Sequence, residues 1–303
     1  MKIGLLWLLL VIAAMALMAA ANLVDRIALS TIYKNGFAYA FFVGAVNAIG
    51  ALVLLFVFPF KGSLGDAAIA FAAGCLMGLA TLLWARALSQ GEATRLVPLF
   101  NVFPLATLGF ATFLLGEKLG ALQIAGVFAV VTGALLIAVT QLPSLSKKRW
   151  PTFEKGAAVM LFCAIVWGAS EATQKAALAN VSFWNVWGVA GLGLFAITSI
   201  ALASRGARLE IIQSLKNKRA AIPSLNECAY FAGNVMLAAA YSLTLVSVAS
   251  AAETIKLVFV FVFAAAASRF FPKRFHEELG GRTLALKIAA TALIALGVYL
   301  VAF

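Results

Sequence analysis

Long apolar runs occupy most of this chain and constrain its fold more than any other feature of the sequence. A helix that crosses a membrane needs about 20 predominantly apolar residues. Ten stretches meet this requirement, and the connections between them are short. They are residues 3–24, 36–60, 66–88, 93–115, 119–141, 156–179, 182–203, 222–245, 248–271 and 283–303. We number them spans one to ten, and they predict an all-α polytopic membrane protein with ten transmembrane helices.

The composition indicates which solvent these runs face. Hydrophobic residues make up 64% of the 303 residues and charged residues 11%, whereas soluble domains typically have about 45–50% and about 25%. A chain of this length cannot hide so much apolar surface in an aqueous core. The composition argues against a soluble enzyme, a disordered chain and a secreted disulfide scaffold. It predicts a multi-pass protein of the plasma (inner) membrane. The first run, at about 20 residues, is longer than the apolar part of a cleavable signal, so we interpret it as span one.

Three pairs of short segments match across the polar connection at residues 142–155, which divides the chain almost in half. Residues 22–29 match 171–178, residues 85–88 match 240–243, and residues 117–120 match 277–280, at offsets of 149, 155 and 160 residues. Together these matches predict a duplication with five spans in each copy. Because five is an odd number, the second copy must cross the membrane in the opposite sense. Such an inverted repeat is typical of secondary transporters.

The duplication divides the chain into a first five-helix repeat at 1–145, a basic linker at 146–155 and a second five-helix repeat at 156–303. The signature Gly-Glu-Lys-Leu at Gly116–Leu119 lies between spans four and five, and Glu277–Leu279 is its counterpart in the second copy. On these residues and the two five-helix halves, the chain resembles the ten-helix EamA-type members of the drug/metabolite transporter superfamily. The resemblance implies transport of an amino acid, a drug or a metabolite, and it does not name the substrate.

The basic residues are distributed unevenly along the predicted topology. The chain has 23 Lys and Arg against 11 Asp and Glu, a net charge of +12. Four of the basic residues lie on the side of the termini, and seventeen lie on the opposite side. By the positive-inside rule this bias predicts that both termini are outside the cytoplasm, whereas the resemblance implies termini inside. Basic cytoplasmic loops explain the charge excess, so we expect no nucleic-acid partner.

Polar residues within the spans are the candidates for a binding site. A charged side chain in a span costs about 2.5–3.5 kcal/mol on insertion scales, so it tends to face a cavity or a partner. The polar residues collect in spans one, three, four, six, eight and nine, which predicts six helices around a polar cavity and four packed outside them. Chance clustering near helix ends is the alternative. The candidate substrate-binding residues are Asn22, Arg86, Asn101, Glu171, Asn234, Tyr241, Glu253 and Lys256.

The duplication places several of these candidates in equivalent positions. Asn22 aligns with Glu171, Arg86 with Tyr241, Asn101 with Lys256, and Pro98 with Glu253. Substrate sites of inverted-repeat transporters commonly lie at the interface of the repeats, near the bilayer midplane. The recurrence therefore favours a binding role. For Asn22 and Arg86, which are close to helix ends, an interfacial role with the polar head in the headgroup region is the alternative.

Span four contains two prolines, Pro98 and Pro104, on either side of Asn101. Each proline removes a helical N–H and clashes with the carbonyl one turn back. Freed carbonyls are tolerated inside a membrane only against protein or a water-filled cavity. We expect a helix break that makes Asn101 available to a ligand, and a plain kink that improves packing is the alternative.

Opposite charges recur at helical spacing in the second half. Glu171 and Lys175 are at i,i+4, and Glu253 and Lys256 are at i,i+3, so each pair can touch on one helix face. Together with Arg86 and Glu227, these residues supply three positive and three negative charges. Such a balanced lining suits a zwitterion such as an amino acid, and mutual neutralisation inside the bundle is the alternative.

Two of these residues have more specific hypotheses. Burial favours the neutral form of a carboxylate, which would let Glu171 exchange protons and couple transport to a proton gradient, although Lys175 opposes this by stabilising the anion. Lys256 lies too deep in span nine to reach the membrane surface. Superfamily relatives that carry phosphorylated metabolites use basic residues on their late helices, so the resemblance implies that Lys256 grips a substrate carboxylate or phosphate. A static ion pair with Glu253 is the alternative.

No motif in the sequence indicates an enzyme. There is no Walker loop and no Gly-x-Ser-x-Gly elbow, and the single histidine cannot build a His-based metal centre, so we expect no cofactor and no metal. Trp167, Trp184 and Trp187 are interpreted as interface anchors or packing residues, in preference to an aromatic cage for a cation.

We therefore predict a secondary transporter that moves a small polar or zwitterionic metabolite by alternating access, as an exporter or exchanger. Its expected partners are the small-molecule substrate, the lipid bilayer, and a proton or an exchanged metabolite. One alternative is a flippase for an amphiphilic or lipid-linked substrate, which would need a groove open to lipid. The other is a membrane receptor or scaffold that transports nothing.

Overall fold

A computed structural model of the chain describes residues 5–31, 35–90, 93–140, 155–217, 221–270 and 281–303. Within these ranges every regular element is a helix. Each of the ten predicted spans coincides with one helix or with two consecutive helices. The prediction of an all-α membrane protein is confirmed.

The helices have the following bounds. Spans one to five correspond to α1 (Leu6–Thr31), α2 (Gly36–Val57), α3 (Leu64–Leu88), α4 (Ala93–Phe100), α5 (Phe103–Leu115) and α6 (Ala121–Thr140). Spans six to ten and one connection correspond to α7 (Lys155–Ala177), α8 (Phe183–Thr198), α9 (Arg205–Lys216), α10 (Ala221–Leu243), α11 (Val246–Glu253), α12 (Lys256–Phe270) and α13 (Gly281–Ala302). A 3-10 turn extends α8 to Ala203.

Six helical segments of the described residues are long and apolar enough to cross a membrane. They are Gly36–Val57, Leu64–Leu88, Gly156–Ala177, Phe183–Ala203, Val246–Ala264 and Leu284–Ala302. Three shorter apolar segments lie in α1, α5 and α6. Helix α10 is more polar, since it carries Asn226, Glu227 and Asn234. The chain is therefore a multi-pass membrane protein, and the number of ten crossings stays a prediction.

Spans four and nine are each broken into two helices. The predicted break in span four is confirmed: α4 ends at Phe100, α5 begins at Phe103, and Pro104 occupies the first turn of α5. The break in span nine, between Glu253 and Lys256, was not predicted, because no proline marks it. The two breaks have the same form, with an eight-residue helix followed by a two-residue interruption.

Helix α9 lies in the connection between spans seven and eight, where the sequence predicted no helix. Ala207 and Ile211 are buried, and Ile211 and Phe42 of α2 belong to one apolar cluster. The opposite side exposes Leu209 and Leu215 beside basic residues. An apolar face flanked by Lys and Arg is typical of a helix that lies in the membrane surface.

The most extensive packing between two of the described helices joins α6 and α13, the helices of spans five and ten. A Cβ atom on Gly126 of α6 would lie 2.8 Å from the carbonyl oxygen of Gly297, and a Cβ on Gly297 of α13 would lie 2.8 Å from that of Gly126. The side chain of Gln123 donates to the carbonyl of Val301 at 3.4 Å, and Gly133 faces Ala290. Since residue numbers rise along α6 as they fall along α13, the two helices are antiparallel.

Several other pairs of helices also pack directly against each other. Helices α2 and α8 are also antiparallel, because Gly44 lies against Thr198 and Gly191 lies against Asn47. Helix α3 packs between α7 and α8, and α10 packs against α1, α2 and α8. Helix α7 also contacts α4 and α5, and α1 contacts α11 and α12. The largest apolar core lies between α1, α6, α10, α11 and α13.

We expect Gly126→Ala to destabilise the protein although alanine favours a helix by about 1 kcal/mol over glycine. The added methyl group would meet the backbone of Gly297 and Val301, and overpacking of this kind costs about 1–3 kcal/mol. Thermal unfolding of the purified protein in detergent measures the effect. The matched control is Gly109→Ala, because a Cβ there meets nothing within 4 Å. It should leave the unfolding temperature unchanged or raise it. Equal unfolding temperatures of the two variants would contradict the close contact.

Candidate functional site

A buried carboxylate on α7 is the centre of the polar residues inside the bundle. Glu171 is only 2% exposed. Its Oε2 accepts a hydrogen bond from Oγ1 of Thr107 on α5 at 2.7 Å, and its Oε1 accepts one from Nε1 of Trp167 at 2.7 Å. Ser250 of α11 in turn donates to Thr107 at 3.1 Å. The hydrogen-bond donors around Glu171 thus come from three helices, which hold the carboxyl group in a fixed orientation.

A second buried carboxylate lies close to the first. Glu253, the last residue of α11, is 6% exposed and accepts a hydrogen bond from the hydroxyl of Tyr241 on α10. Tyr241 is itself buried and interacts with Glu171 as well. The carboxyl groups of Glu171 and Glu253 act on each other electrostatically. Two neighbouring carboxylates away from water are stable only if a proton or a cation offsets their repulsion.

Lys256 brings a positive charge to the same region. Its ammonium group lies 5.2 Å from the centre of the Tyr230 ring, within cation–π range, and it acts electrostatically on Glu253. The Tyr230 hydroxyl donates to Oδ1 of Asn22 on α1. The break in span nine places Glu253 at the end of α11 and Lys256 at the start of α12, so the two residues do not share one continuous helix, and a direct contact between them stays a prediction.

The predicted pairing of Glu171 with Lys175 is wrong. Nζ of Lys175 donates to the carbonyl oxygens of Tyr241 at 2.6 Å and Thr244 at 2.7 Å. These carbonyls belong to the last turn of α10 and the residue after it, where backbone acceptors have no partner within the helix. The ammonium group of Lys175 is therefore bound by the C-terminal end of α10, and not by Glu171 as the sequence spacing predicted.

The remaining predicted residues lie in different surroundings. Arg86, in the last turn of α3, is exposed, so it does not share the buried environment of Tyr241, its proposed repeat partner. Asn101 is half-buried at the break of span four, and its amide donates to the carbonyl of Val97 at 3.3 Å. Asn234 is buried on α10, two turns before Tyr241. The structure therefore joins Glu171, Tyr241, Glu253 and Lys256 directly, and Asn22 through Tyr230.

One of the tryptophans has a role that the sequence interpretation missed. Trp167 donates a hydrogen bond to Glu171 one turn further along α7, so it is not an interface anchor, and the i,i+4 spacing was the available signal. Its ring also packs edge-on against Phe100, 5.6 Å between centroids. Trp187 is 1% exposed and packs against Phe231.

Thr107 and Ser250 were missed because a small hydroxyl in an apolar run carries no signal of its own.

Comparison with known proteins agrees with a multi-pass helical membrane protein. Residues 5–139 match the family model of the EamA-like transporter family. These residues therefore correspond to the domain of that family, which is the domain of the drug/metabolite transporter superfamily, and the resemblance found in the sequence is confirmed for them. The family is one of membrane transporters and not of enzymes.

A solved crystal structure has a similar fold along nearly the whole chain. The alignment covers 98% of this chain and 94% of the other, with a TM-score of 0.65 and 15% sequence identity. At this identity the likeness concerns the fold alone. No curated protein matches the sequence.

We expect Tyr241→Phe to lower the free energy of unfolding by about 1–3 kcal/mol, because it leaves a buried carboxyl group without its hydroxyl donor. Tyr299→Phe is the matched control, since Tyr299 is 59% exposed on α13 and its substitution should change little. Chemical or thermal unfolding in detergent measures both. If the two substitutions had the same small effect, the contact of Tyr241 with Glu253 would contribute nothing to the fold.

Proposed function

We propose that this protein is a secondary transporter of the plasma membrane that exports or exchanges a small zwitterionic metabolite by alternating access. The observation that carries the proposal is the group formed by the buried Glu171, Tyr241 and Glu253 and the half-buried Lys256, which combines two carboxylates with a cation. The ammonium group of an amino-acid-like substrate suits the carboxylates, and its carboxylate suits Lys256. Transporters place their ionisable residues in this way, facing a pathway through the bundle.

The packing of the helices supports two inverted repeats, with boundaries at 1–145, 146–155 and 156–303. In an inverted repeat, equivalent helices that meet at the axis must be antiparallel. Both α6 with α13 and α2 with α8 meet this requirement. The contacts of α7 with α3, α4 and α5 also have counterparts in those of α1 with α10, α11 and α12. Ten crossings in two halves of five account for this pattern.

The broken helices refine the alignment of the two repeats. Helices α4 and α11 end at Phe100 and Glu253, and α5 and α12 begin at Phe103 and Lys256. Both boundaries correspond at an offset of 153, whereas the ends of α3 and α10 keep the offset of 155. The refined register pairs Lys256 with Phe103, and Asn101 with Thr254. Lys256 therefore has no polar counterpart in the first repeat, and its charge is specific to the second.

The helices that carry the site support a cavity lined by spans one, four, six, eight and nine. Asn22 comes from α1, Thr107 from α5, Glu171 from α7, Tyr241 from α10 and Glu253 from α11. Span three was also predicted to line the cavity, but its candidate residue, Arg86, is exposed at the end of the helix and lies outside the buried group. Alternating access then requires the two repeats to tilt about this centre, as in other inverted-repeat transporters.

We further propose that a proton is the coupling partner and is held between Glu171 and Glu253. In the absence of substrate, one shared proton offsets the repulsion of the two carboxylates. The ammonium group of the substrate supplies the same compensation, so substrate and proton compete for one place. Such competition makes transport in one direction depend on proton movement in the other.

Transport by the purified protein in liposomes tests the function. We expect uptake of at least one amino acid or related zwitterion above that of empty liposomes, and we expect Lys256→Met to abolish it while the folded protein still reaches the membrane. Arg86→Met removes a basic residue from an exposed position of another span and should retain transport. A double variant of Glu253→Gln and Lys256→Met that recovered both stability and transport would exclude Lys256 from the site. Absence of uptake for every metabolite tested would contradict the function.

The pH dependence of the same assay tests the coupling. Glu171→Gln cannot release a proton, so we expect its exchange of labelled substrate across the membrane to lose the pH dependence of the unaltered protein. Proton flux reported by a pH-sensitive dye inside the liposomes should disappear as well. Transport by Glu171→Gln that kept its full pH dependence would remove Glu171 from this role and leave an exchanged metabolite as the coupling partner.

A further inference from the structure

The turn between α10 and α11 is held from both sides by charged residues. Helix α10 ends at Leu243 and α11 begins at Val246, so a carbonyl end and an N–H end of two helices meet within a few residues. Lys175 donates to the carbonyls of Tyr241 and Thr244 at the end of α10. A cation at the C-terminus of a helix and an anion at the N-terminus are both stabilised by the helix dipole.

Glu117 supplies the anion at the start of α11. Its Oε1 accepts a hydrogen bond from the backbone N–H of Val246 at 2.8 Å, and its Oε2 accepts one from that of Ser247 at 3.2 Å. The hydroxyl of Ser247 donates to the same carboxylate. Glu117 is 6% exposed and acts electrostatically on Lys175 across the turn. The carboxylate thus satisfies helix N–H groups that would otherwise have no acceptor.

The Gly-Glu-Lys-Leu signature brings Glu117 to this position. Gly116 ends α5 with a φ of 68°, in the left-handed region that favours glycine. The following N–H, of Glu117, bonds back to the carbonyl of Ala111 at 3.1 Å. The chain therefore reverses at Gly116 and directs the Glu117 side chain inward, while Lys118 stays exposed and Leu119 packs against the main apolar core.

Helix α11 links the turn to the proposed substrate site. Its eight residues span about 12 Å at 1.5 Å per residue, with Ser247 against Glu117 at one end and Glu253 in the site at the other. Tyr241, which contacts Glu253, also provides one of the carbonyls that Lys175 binds. A shift of the turn must therefore move both of the groups that surround the two carboxylates.

We propose that Glu117 and Lys175 clamp the α10–α11 turn, positioning Tyr241 and Glu253 in the site and closing the bundle at this end, and that release of the clamp opens the site to that side of the membrane. The opening step rests on the proposed function. The clamp as a closing contact does not, because accessibility can be measured without a substrate.

The test measures the accessibility of Thr254, which follows Glu253 and is 2% exposed. In a chain whose three cysteines are replaced by alanine, Thr254→Cys is labelled with a membrane-impermeant thiol reagent in vesicles of defined orientation. Labelling of Lys118→Cys in a parallel sample identifies the face that carries the turn. We expect Glu117→Gln and Lys175→Met to raise the labelling rate of Thr254→Cys about tenfold or more from that face alone, because each removes a charge-assisted hydrogen bond.

Two controls separate clamp release from general loosening. Lys118→Met changes the neighbouring, exposed charge and should leave the labelling rate unchanged. Gly126→Ala is expected to destabilise the α6–α13 contact, and it should not raise labelling selectively from one face.

Unchanged labelling in both clamp variants, or an equal rise from both faces, would overturn the proposal. If the clamp variants open one face while no metabolite is transported, the clamp stands and the proposed transport fails. If metabolite is transported while labelling stays unchanged, the clamp fails and the proposed transport stands.

Discussion

The burial of two carboxylates among apolar helices is the constraint on which the rest of this structure depends. Removing a single charged group from water costs several kcal/mol even after relaxation, and a lipid-embedded bundle offers little water in return. The protein meets this cost with donors from several helices: Thr107 and Trp167 at Glu171, and Tyr241 at Glu253. The packing of the helices determines where each donor lies. The close contacts between helix backbones are therefore as necessary to the site as the carboxylates themselves.

Broken helices are the second means by which the protein accommodates polar groups. An intact helix in lipid has satisfied its own backbone and offers nothing to a ligand or a side chain. The interruption of span nine creates free helix ends inside the bundle, and the short helix α11 uses both of its ends. One end is neutralised by Glu117, and the other presents Glu253 to the centre. The interruption in span four has prolines to cause it, whereas the one in span nine has no proline and depends on contacts made by the rest of the fold.

The sequence predicted those features that depend on local properties of the chain. Apolar runs of membrane length indicated the helices, and Pro98 and Pro104 indicated the break in span four, because both effects act within a few residues. The pairing of Lys175 with Glu171 failed because a helix end from a distant part of the chain competes for the ammonium group. The second break, between Glu253 and Lys256, was missed for the same reason: no residue nearby demands it. The same limit applied to Thr107, since a threonine in an apolar run gains significance only from the carboxylate that packing brings to it.

The contact between α6 and α13 has a consequence for how the two halves can differ. Gly126 faces the carbonyl of Gly297, and Gly297 faces the carbonyl of Gly126. An interface between two identical subunits has the same self-complementary geometry. In a dimer of identical chains, every residue of a central site occurs twice. On the proposed duplication, a single chain is free of this requirement, and Glu171, Tyr241, Glu253 and Lys256 all belong to one half. Once the two halves were joined in one chain, the site no longer had to be symmetric. Such a site can bind the two different ends of a substrate with different residues, although the surrounding helices are arranged almost symmetrically.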